Sequence, residues 1–332
     1  LFEGGEGLGF YSKTARDFQE RTGVMVHLVG DPAMADRMRM RVLDGNYPEV
    51  TNANIDIWNL IEHDQIQPLD PWLDQEADDG TTWRDSFLPG SLNQYQHGGK
   101  TYGVPLVYVV WSVYYNKRLF REQGWAVPAT WDEFFELCEE MKPAGATPIA
   151  SQGRYSFYAR PLVEQAYFQL AGRAAYEELQ SAAPGSFDND TMVKALSLLD
   201  GLARNYFPKG FQGMSHTEAQ LEFFQGRSAM LFCGSWLYSE MQDNIPQDFE
   251  LGAFAFPMPE SEFADPALQY ASSGYFFVFK NSDHPEKGVE FLKYLTSRHN
   301  ATRFAEQRGI PVAVKGANAS LHPKMADVAR QL

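Results

Sequence analysis

Along almost the whole chain, segments whose apolar residues recur every three to four positions alternate with short apolar or period-two runs. Such alternation restricts the fold to helices packed on mostly parallel sheets built from βα units. At 332 residues the chain is well beyond the roughly 150 residues of an average domain, so two lobes are expected, each large enough to bury its own core. Phe10, Tyr11, Thr14, Ala15 and Phe18 form one helical face that stops at Gly23, and Val24 to Val29 then reads as a buried strand. Ile57, Leu60 and Ile61 line a helix ending before Pro68, preceded by Pro48-Glu49-Val50 and a turn at Asn52-Ala53-Asn54. Gln94 to Tyr102 reads as a hairpin, with Gly98-Gly99 able to take the positive φ angles of a tight turn.

A strand through Val104 into Tyr115 follows, then helices at Thr130 to Lys142, Pro161 to Ala171 and Thr191 to Asn205. Trp131, Phe134, Phe135 and Cys138 share one face of the first of these. Strands are expected at 228–233, 249–256 and 274–279, and helices at 285–297 and 301–308. Pro257-Met258-Pro259 reads as a crossing segment, because two prolines one residue apart hold an extended path and remove ladder donors. The opening Leu1-Phe2 reads as the tail of a strand running into Gly4-Gly5, so preceding sequence, including any secretory signal, is expected to lie outside this stretch.

Charge narrows the partners. Lys and Arg number 28 against 43 Asp and Glu, a formal net charge of −15, and such a surface repels nucleic acid and anionic lipid. No apolar run approaches the ~18 residues of a membrane span, the strongest, Val104 to Trp111, being interrupted by Ser112. Two cysteines, Cys138 and Cys233, are too few for a disulfide framework or a structural zinc site.

Several motifs can be weighed for chemistry. Gly4-Gly5-Glu6-Gly7-Leu8-Gly9 falls between a strand end and a helix start, where backbone N–H groups favour anions or hydroxyl oxygens. Its G-x-G-x-G spacing is that of neither a dinucleotide fingerprint nor a P-loop, which leaves a ligand-facing loop or a plain glycine turn. Asp188-Asn189-Asp190 resembles a metal-binding D-x-D, but Met192, Val193 and Leu196 follow at helical spacing, so it reads as a helix cap. The seven histidines include no i, i+4 pair, no metal site is expected, and no G-x-S-x-G elbow marks a hydrolase nucleophile. No catalytic residue and no cofactor are therefore assigned.

Aromatic residues make up 14% of the chain, with 7 Trp and 16 Tyr. A pyranose has an apolar C–H face and a rim of hydroxyls, so its receptor needs stacking rings beside polar side chains. Trp111, Trp236, Tyr238 and Tyr275 lie where strands end or segments cross and are the aromatic candidates; each could equally be a core ring.

Tyr102-Gly103-Val104-Pro105 and the run Trp111 to Phe120 begin a pattern that continues through Pro128 to Phe134, Gly145 to Ala150, Phe224 to Met230, Gly234-Ser235-Trp236 and Gly309 to Val312. In this order, over nearly the whole chain, it closely resembles the extracellular solute-binding proteins of carbohydrate ABC importers, the group that includes maltose-binding protein. The resemblance implies an α/β fold of two lobes, the type II periplasmic-binding-protein fold, with sugar enclosed by lobe closure. It assigns 1–107 and 258–299 to lobe one, 111–256 and 300–332 to lobe two, and crossings near 107–110, 255–258 and 299–301.

Position by position, it implies ligand-binding roles for Glu3, Gly4 and Gly5 in the first loop, for Asn52 and Asn54 in the turn after Pro48-Glu49-Val50, and for Trp111 as a hinge wall. Arg154 and Tyr158 match a loop carrying a charged and an aromatic contact. Trp236 and Tyr238 match a Trp-x-Tyr pair, and Gly274-Tyr275 a Gly-aromatic pair. Many relatives carry Asp where this chain has Asn54, and an amide both donates and accepts. The implied protein is a secreted, non-catalytic, monomeric carbohydrate receptor, periplasmic or lipid-anchored, serving a membrane-embedded ABC permease. The alternatives are a glycoside-active enzyme, a sensor feeding a membrane kinase, and a receptor for a phosphorylated polyol such as a glycerol phosphate, for which Arg154 or Arg160 would supply charge.

Overall fold

A computed structural model describes residues 7–31, 33–77, 80–266 and 268–332. Its strands, among the described residues, are β1 (Val50–Thr51), β2 (Gln96–His97), β3 (Lys100–Thr101), β4 (Gly103–Asn116), β5 (Thr147–Ala150), β6 (Ser228–Gly234), β7 (Leu251–Phe254) and β8 (Ala271–Val278). The chain divides into two compact units, Leu1–Val109 with Ser272–His322, and Val110–Ala271 with Pro323–Leu332. Strand β4 contributes to both, the division falling between Val109 and Val110.

In the first unit β8 lies between β1 and β4, with Val50 opposite Val278 in antiparallel register. The helix Gly9–Thr22 buries the expected face of Phe10, Tyr11, Thr14, Ala15 and Phe18 and ends on the left-handed Gly23. Helix Ile57–Glu62 is capped by Asp56, which accepts from the Asn59 N–H at 3.1 Å, and buries Ile57, Leu60 and Ile61. These pack with Met34, Met38, Phe277 and Phe279 in one core. The hairpin β2–β3 turns at Gly98 and Gly99, with φ of 56° and 73°.

Val24 to Val29 does not form the expected strand. No strand is assigned to it among the described residues, and Val24 to Leu28 alternate half-buried with exposed positions. Where mostly parallel ladders were expected, β1–β8, β4–β6 and β4–β7 are antiparallel and β5–β6 is parallel. Long β4 takes its partners from segments that return against it.

In the second unit β4 pairs β6 with Trp111 opposite Gly234, and β7 with Val113 opposite Phe254. Helix Trp131–Met141 buries Phe134, Leu137, Cys138 and Met141, which recur at i, i+3, i+4 and i+7 on one face, and Trp131 and Phe135 pack partly buried beside them. Asn189 caps helix Asp190–Asn205 by accepting from the Met192 N–H at 2.9 Å, the capping reading of the Asp-Asn-Asp run. The helix expected at Pro161 to Ala171 is longer, Ala159–Gln180, broken at Gly172. Cys138 and Cys233 are both buried free thiols, and burial pushes the Cys138 thiol up to about 12.

Two divisions between the units differ from those expected. Residues 258–271 group with the second unit, because the Met258 N–H donates to the Ala129 carbonyl at 3.1 Å and its carbonyl accepts from the Trp131 N–H at 3.0 Å. Residues 300–322 group with the first, because 311–314 run beside the start of β4: the Ala313 N–H donates to Leu106 and the Tyr108 N–H to Pro311, both at 2.8 Å. Only Pro323–Leu332 returns to the second unit, where buried Asp327 meets Lys117 at 2.8 Å and accepts from the Ala253 N–H at 3.1 Å. No helix among the described residues is long and apolar enough to cross a membrane.

Candidate functional site

Three of the expected site residues meet in the second unit. Trp111 sits on β4 opposite Gly234, the residue that ends β6 two positions before Trp236. Gly234 is required there, since a Cβ would lie 2.6 Å from Cε3 of the Trp236 ring and closer still to two further ring atoms. Between them Ser235, fully buried, accepts from the Val110 N–H at 3.2 Å and fixes the turn to β4. The two indoles therefore meet edge to face, centroids 4.9 Å apart and planes at 89°. Tyr158, at the end of a short 3-10 turn before helix Ala159–Gln180, stands edge-on to both, 5.4 Å from Trp111 and 6.0 Å from Trp236.

Three mutually perpendicular rings are worth about 0.5–1.5 kcal/mol per pair beyond burial, and they present both faces and edges to whatever meets them. Trp111 is only 3% exposed whereas Trp236 and Tyr158 are half-buried, and the indole N–H groups of both tryptophans are buried without a hydrogen-bond partner. Burial holds the Tyr158 hydroxyl well above the ordinary tyrosine range, so it is a neutral donor and acceptor.

Around this triad lie residues that the sequence reading left out. His216 stacks over Tyr158 at 6.3 Å with planes 16° apart and packs 5.5 Å from Tyr155. Phe157, 56% exposed, lies 4.5 Å from Tyr158. The sequence signal was present in Tyr155-Ser156-Phe157-Tyr158, three rings in a row of four just before a helix. His216 had none, since it arrives from the start of another helix, His216–Phe224.

Tyr238 lies on the short helix Leu237–Met241, half-buried, two positions from Trp236 and so off its face. Arg154 is exposed, its N–H donating to the Met214 carbonyl at 3.3 Å, and Arg160 is held by Glu164 at 2.6 Å. In the first unit Asn54 is exposed and Asn52 half-buried, in a turn where the Thr51 hydroxyl accepts from the Ala53 N–H at 3.1 Å. Gly274 is exposed. Tyr275 is 6% exposed, packs edge-on to Tyr95 at 4.9 Å and donates its hydroxyl to the Ser91 carbonyl, which is the core role of such a ring. The exposed ring there is Trp58, 42% exposed and stacked on Tyr95 at 5.4 Å. Glu3, Gly4 and Gly5 lie outside the described residues. Among the described residues no three His, Cys, Asp or Glu side chains gather in a way that could hold a metal ion.

With fold and rings in view, comparison with known proteins gives the class. The chain belongs to the bacterial extracellular solute-binding proteins, whose family model matches residues 13–330. It is similar to the multiple sugar-binding protein of Streptococcus mutans, 28% identical over 94% of this chain and 74% of that one. It is similar also to the diacetylchitobiose binding protein NgcE of Streptomyces coelicolor, 26% identical over 95% and 69%. Its fold is that of a solved chitin oligosaccharide binding protein, with a TM-score of 0.80, 22% identity and coverage of 98% and 82%. The binding protein RafE in complex with raffinose superposes with a TM-score of 0.76, at 23% identity over 96% and 85%.

Proposed function

We propose that this chain is the carbohydrate receptor of an ABC importer, capturing a mono-, di- or oligosaccharide by closure of its two lobes and delivering it, chemically unchanged, to a membrane-embedded permease. The observation that carries the reading is the perpendicular triad Trp111, Tyr158 and Trp236, because a ring set with two half-buried members offers the apolar contact a pyranose face needs. Membership in a family of solute-binding proteins and likeness to sugar-binding relatives support it. Binding at the micromolar level or better requires about −8 kcal/mol, to be met by stacking on the triad and by hydroxyl contacts with polar groups. Tyr158 and Trp236 would face the sugar, with Trp111 as the wall behind them; Tyr238, Asn52, Asn54, Arg154 and Gly274, with Glu3, Gly4 and Gly5, are proposed as further contacts.

The test is thermal unfolding with gluco-, galacto- and chito-configured mono-, di- and oligosaccharides, followed by product analysis. A sugar at 100 times its Kd stabilises by about 2.7 kcal/mol. One class raising the midpoint without breakdown is the expected result. No rise with any sugar overturns the carbohydrate reading, and a rise accompanied by hydrolysis makes the protein an enzyme.

A further inference from the structure

Behind the Tyr158 ring the second unit encloses a cavity of about 200 Å³. Its walls are almost wholly apolar: Leu162, Leu199, Leu202 and Phe207 on the helical side, and Leu231 and Phe232 on β6. Its roof is the loop 151–158, held down where the Gly153 N–H donates to the Phe211 carbonyl at 2.7 Å. That approach is so close that a Cβ on Gly153 would lie 2.5 Å from the Gln212 Cα. Gly153 and Ser156, both exposed, also line the cavity, so it opens to the surface beside them.

Ser151, Gln152, Ser156, His216 and Gln220 are polar side chains of the lining, and of these only Gln220 carries a buried atom without a partner. Gln220, 1% exposed, donates its amide Nε2 to Glu240 at 2.6 Å, and that bond to a carboxylate fixes which end of the amide is which. Its Oε1 is therefore the end left over, buried and without a partner. A buried carbonyl oxygen without a donor is costly, and a molecule that brings one donor with an apolar body relieves that cost while filling the space. About 150 Å³ of dry apolar cavity is enough to take benzene.

We infer that this cavity is a second binding site, built for a small monocyclic aromatic ligand carrying a single hydroxyl or amine donor, with phenol as its simplest probe. The ring packs among the leucines and phenylalanines and the donor reaches Gln220. The site lies wholly in the second unit and does not depend on the sugar reading: phenol titration reports on it whether or not any sugar binds.

Calorimetric titration of the whole chain with phenol and with benzene tests the inference. Phenol is expected to bind about ten-fold more tightly than benzene, because only phenol satisfies the Gln220 oxygen. In Gln220→Leu that preference is expected to fall to about two-fold or less. Ala203→Phe, which fills the cavity from its helical wall, is expected to abolish binding of both. Should that variant fail to fold, methyl NMR of the wild type decides instead, with phenol-induced shifts expected at Leu162, Leu199, Leu202 and Leu231. Binding that survives Ala203→Phe, an unchanged preference in Gln220→Leu, shifts located elsewhere, or no binding up to the solubility limit of phenol would each overturn it.

Discussion

The indole of Trp236 stands edge-on to that of Trp111, centroids 4.9 Å apart and planes at 89°, but one ring is half-buried and the other only 3% exposed. The pair therefore divides into a ring that can be touched and a ring that holds it in place.

That division predicts opposite phenotypes. Trp236→Ala is expected to weaken sugar binding by about ten- to a hundred-fold with a modest loss of stability, as for a stacking ring removed from a ligand contact. Trp111→Ala is expected to cost about 3–5 kcal/mol of unfolding free energy, the range for truncating a buried aromatic. Calorimetry with the sugar found in the panel and urea unfolding of both variants separate the two. Equal stability losses would show that Trp236 is a core ring as well.

Gly234 sets the position of Trp236 through what it lacks. Adding a methyl group in Gly234→Ala pushes directly into the ring, and overpacking of this kind costs about 1–3 kcal/mol. Because the clash is with that one side chain, the double variant Gly234→Ala, Trp236→Ala is expected to be more stable than the sum of the single losses allows. A double-mutant cycle by urea unfolding reads this, and strict additivity would contradict it.

What the sequence made legible follows from the range of the interaction involved. Helix faces such as Phe10 to Phe18 and the cap at Asn189 are set by neighbours within a few residues, and they were readable. The family pattern brought Trp111, Tyr158 and Trp236 into one list, and the structure brings the three rings together. Tyr275 was not readable in the same way: a Gly-aromatic pair on a strand looks alike whether the ring faces ligand or packs on Tyr95, and only the tertiary partner, Ser91, distinguishes them. The divisions at 271 and 322 were illegible for a related reason. Pro257-Met258-Pro259 has the extended backbone of a crossing segment, yet its hydrogen bonds to Ala129 and Trp131, more than a hundred residues earlier, keep it in the second unit.

Thr130 and Glu133 form a reciprocal capping box, in which the Thr130 hydroxyl accepts from the Glu133 N–H at 3.3 Å and the Glu133 carboxylate accepts from the Thr130 N–H at 3.3 Å. Thr130→Ala removes the first bond and leaves a helix N–H unsatisfied, for an expected loss of about 1 kcal/mol. Thr130→Ser is expected to restore most of it. Urea midpoints of the three proteins check this, and a Ser variant as weak as Ala would contradict the capping role.

The C-terminal segment is tied to the second unit by Asp327, 9% exposed, which accepts from the Ala253 N–H and faces both Lys117 and Arg330. Asp327→Ala leaves a half-buried backbone donor and a partly exposed lysine without their acceptor, for an expected loss of about 1–3 kcal/mol. Asp327→Asn keeps an acceptor for Ala253 and is expected to lose less. Hydrogen exchange should show protection lost first at β7, where Ala253 lies, and unchanged exchange there would refute the tie.

Alkaline pH should expose a different dependence. Tyr206 is pushed up to about 12 by burial and by donating its hydroxyl to Glu139 at 2.8 Å, and Tyr270 is likewise pushed up to about 12 by burial, with the Glu164 charge adding to it. In the unfolded chain both ionise near the ordinary value of 10. Above that pH the unfolded state gives up protons that the folded state keeps, so stability falls as pH rises. The stabilisation from these groups is therefore fully present below pH 10 and is lost progressively as pH rises to about 12. In Tyr206→Phe the residue no longer titrates, so the decline should become shallower even though the bond to Glu139 is gone. Urea unfolding across that range, together with ultraviolet titration of the phenols, measures both effects. A flat stability profile, or an unchanged slope in the variant, would show that these hydroxyls ionise as freely in the folded protein as in the unfolded chain.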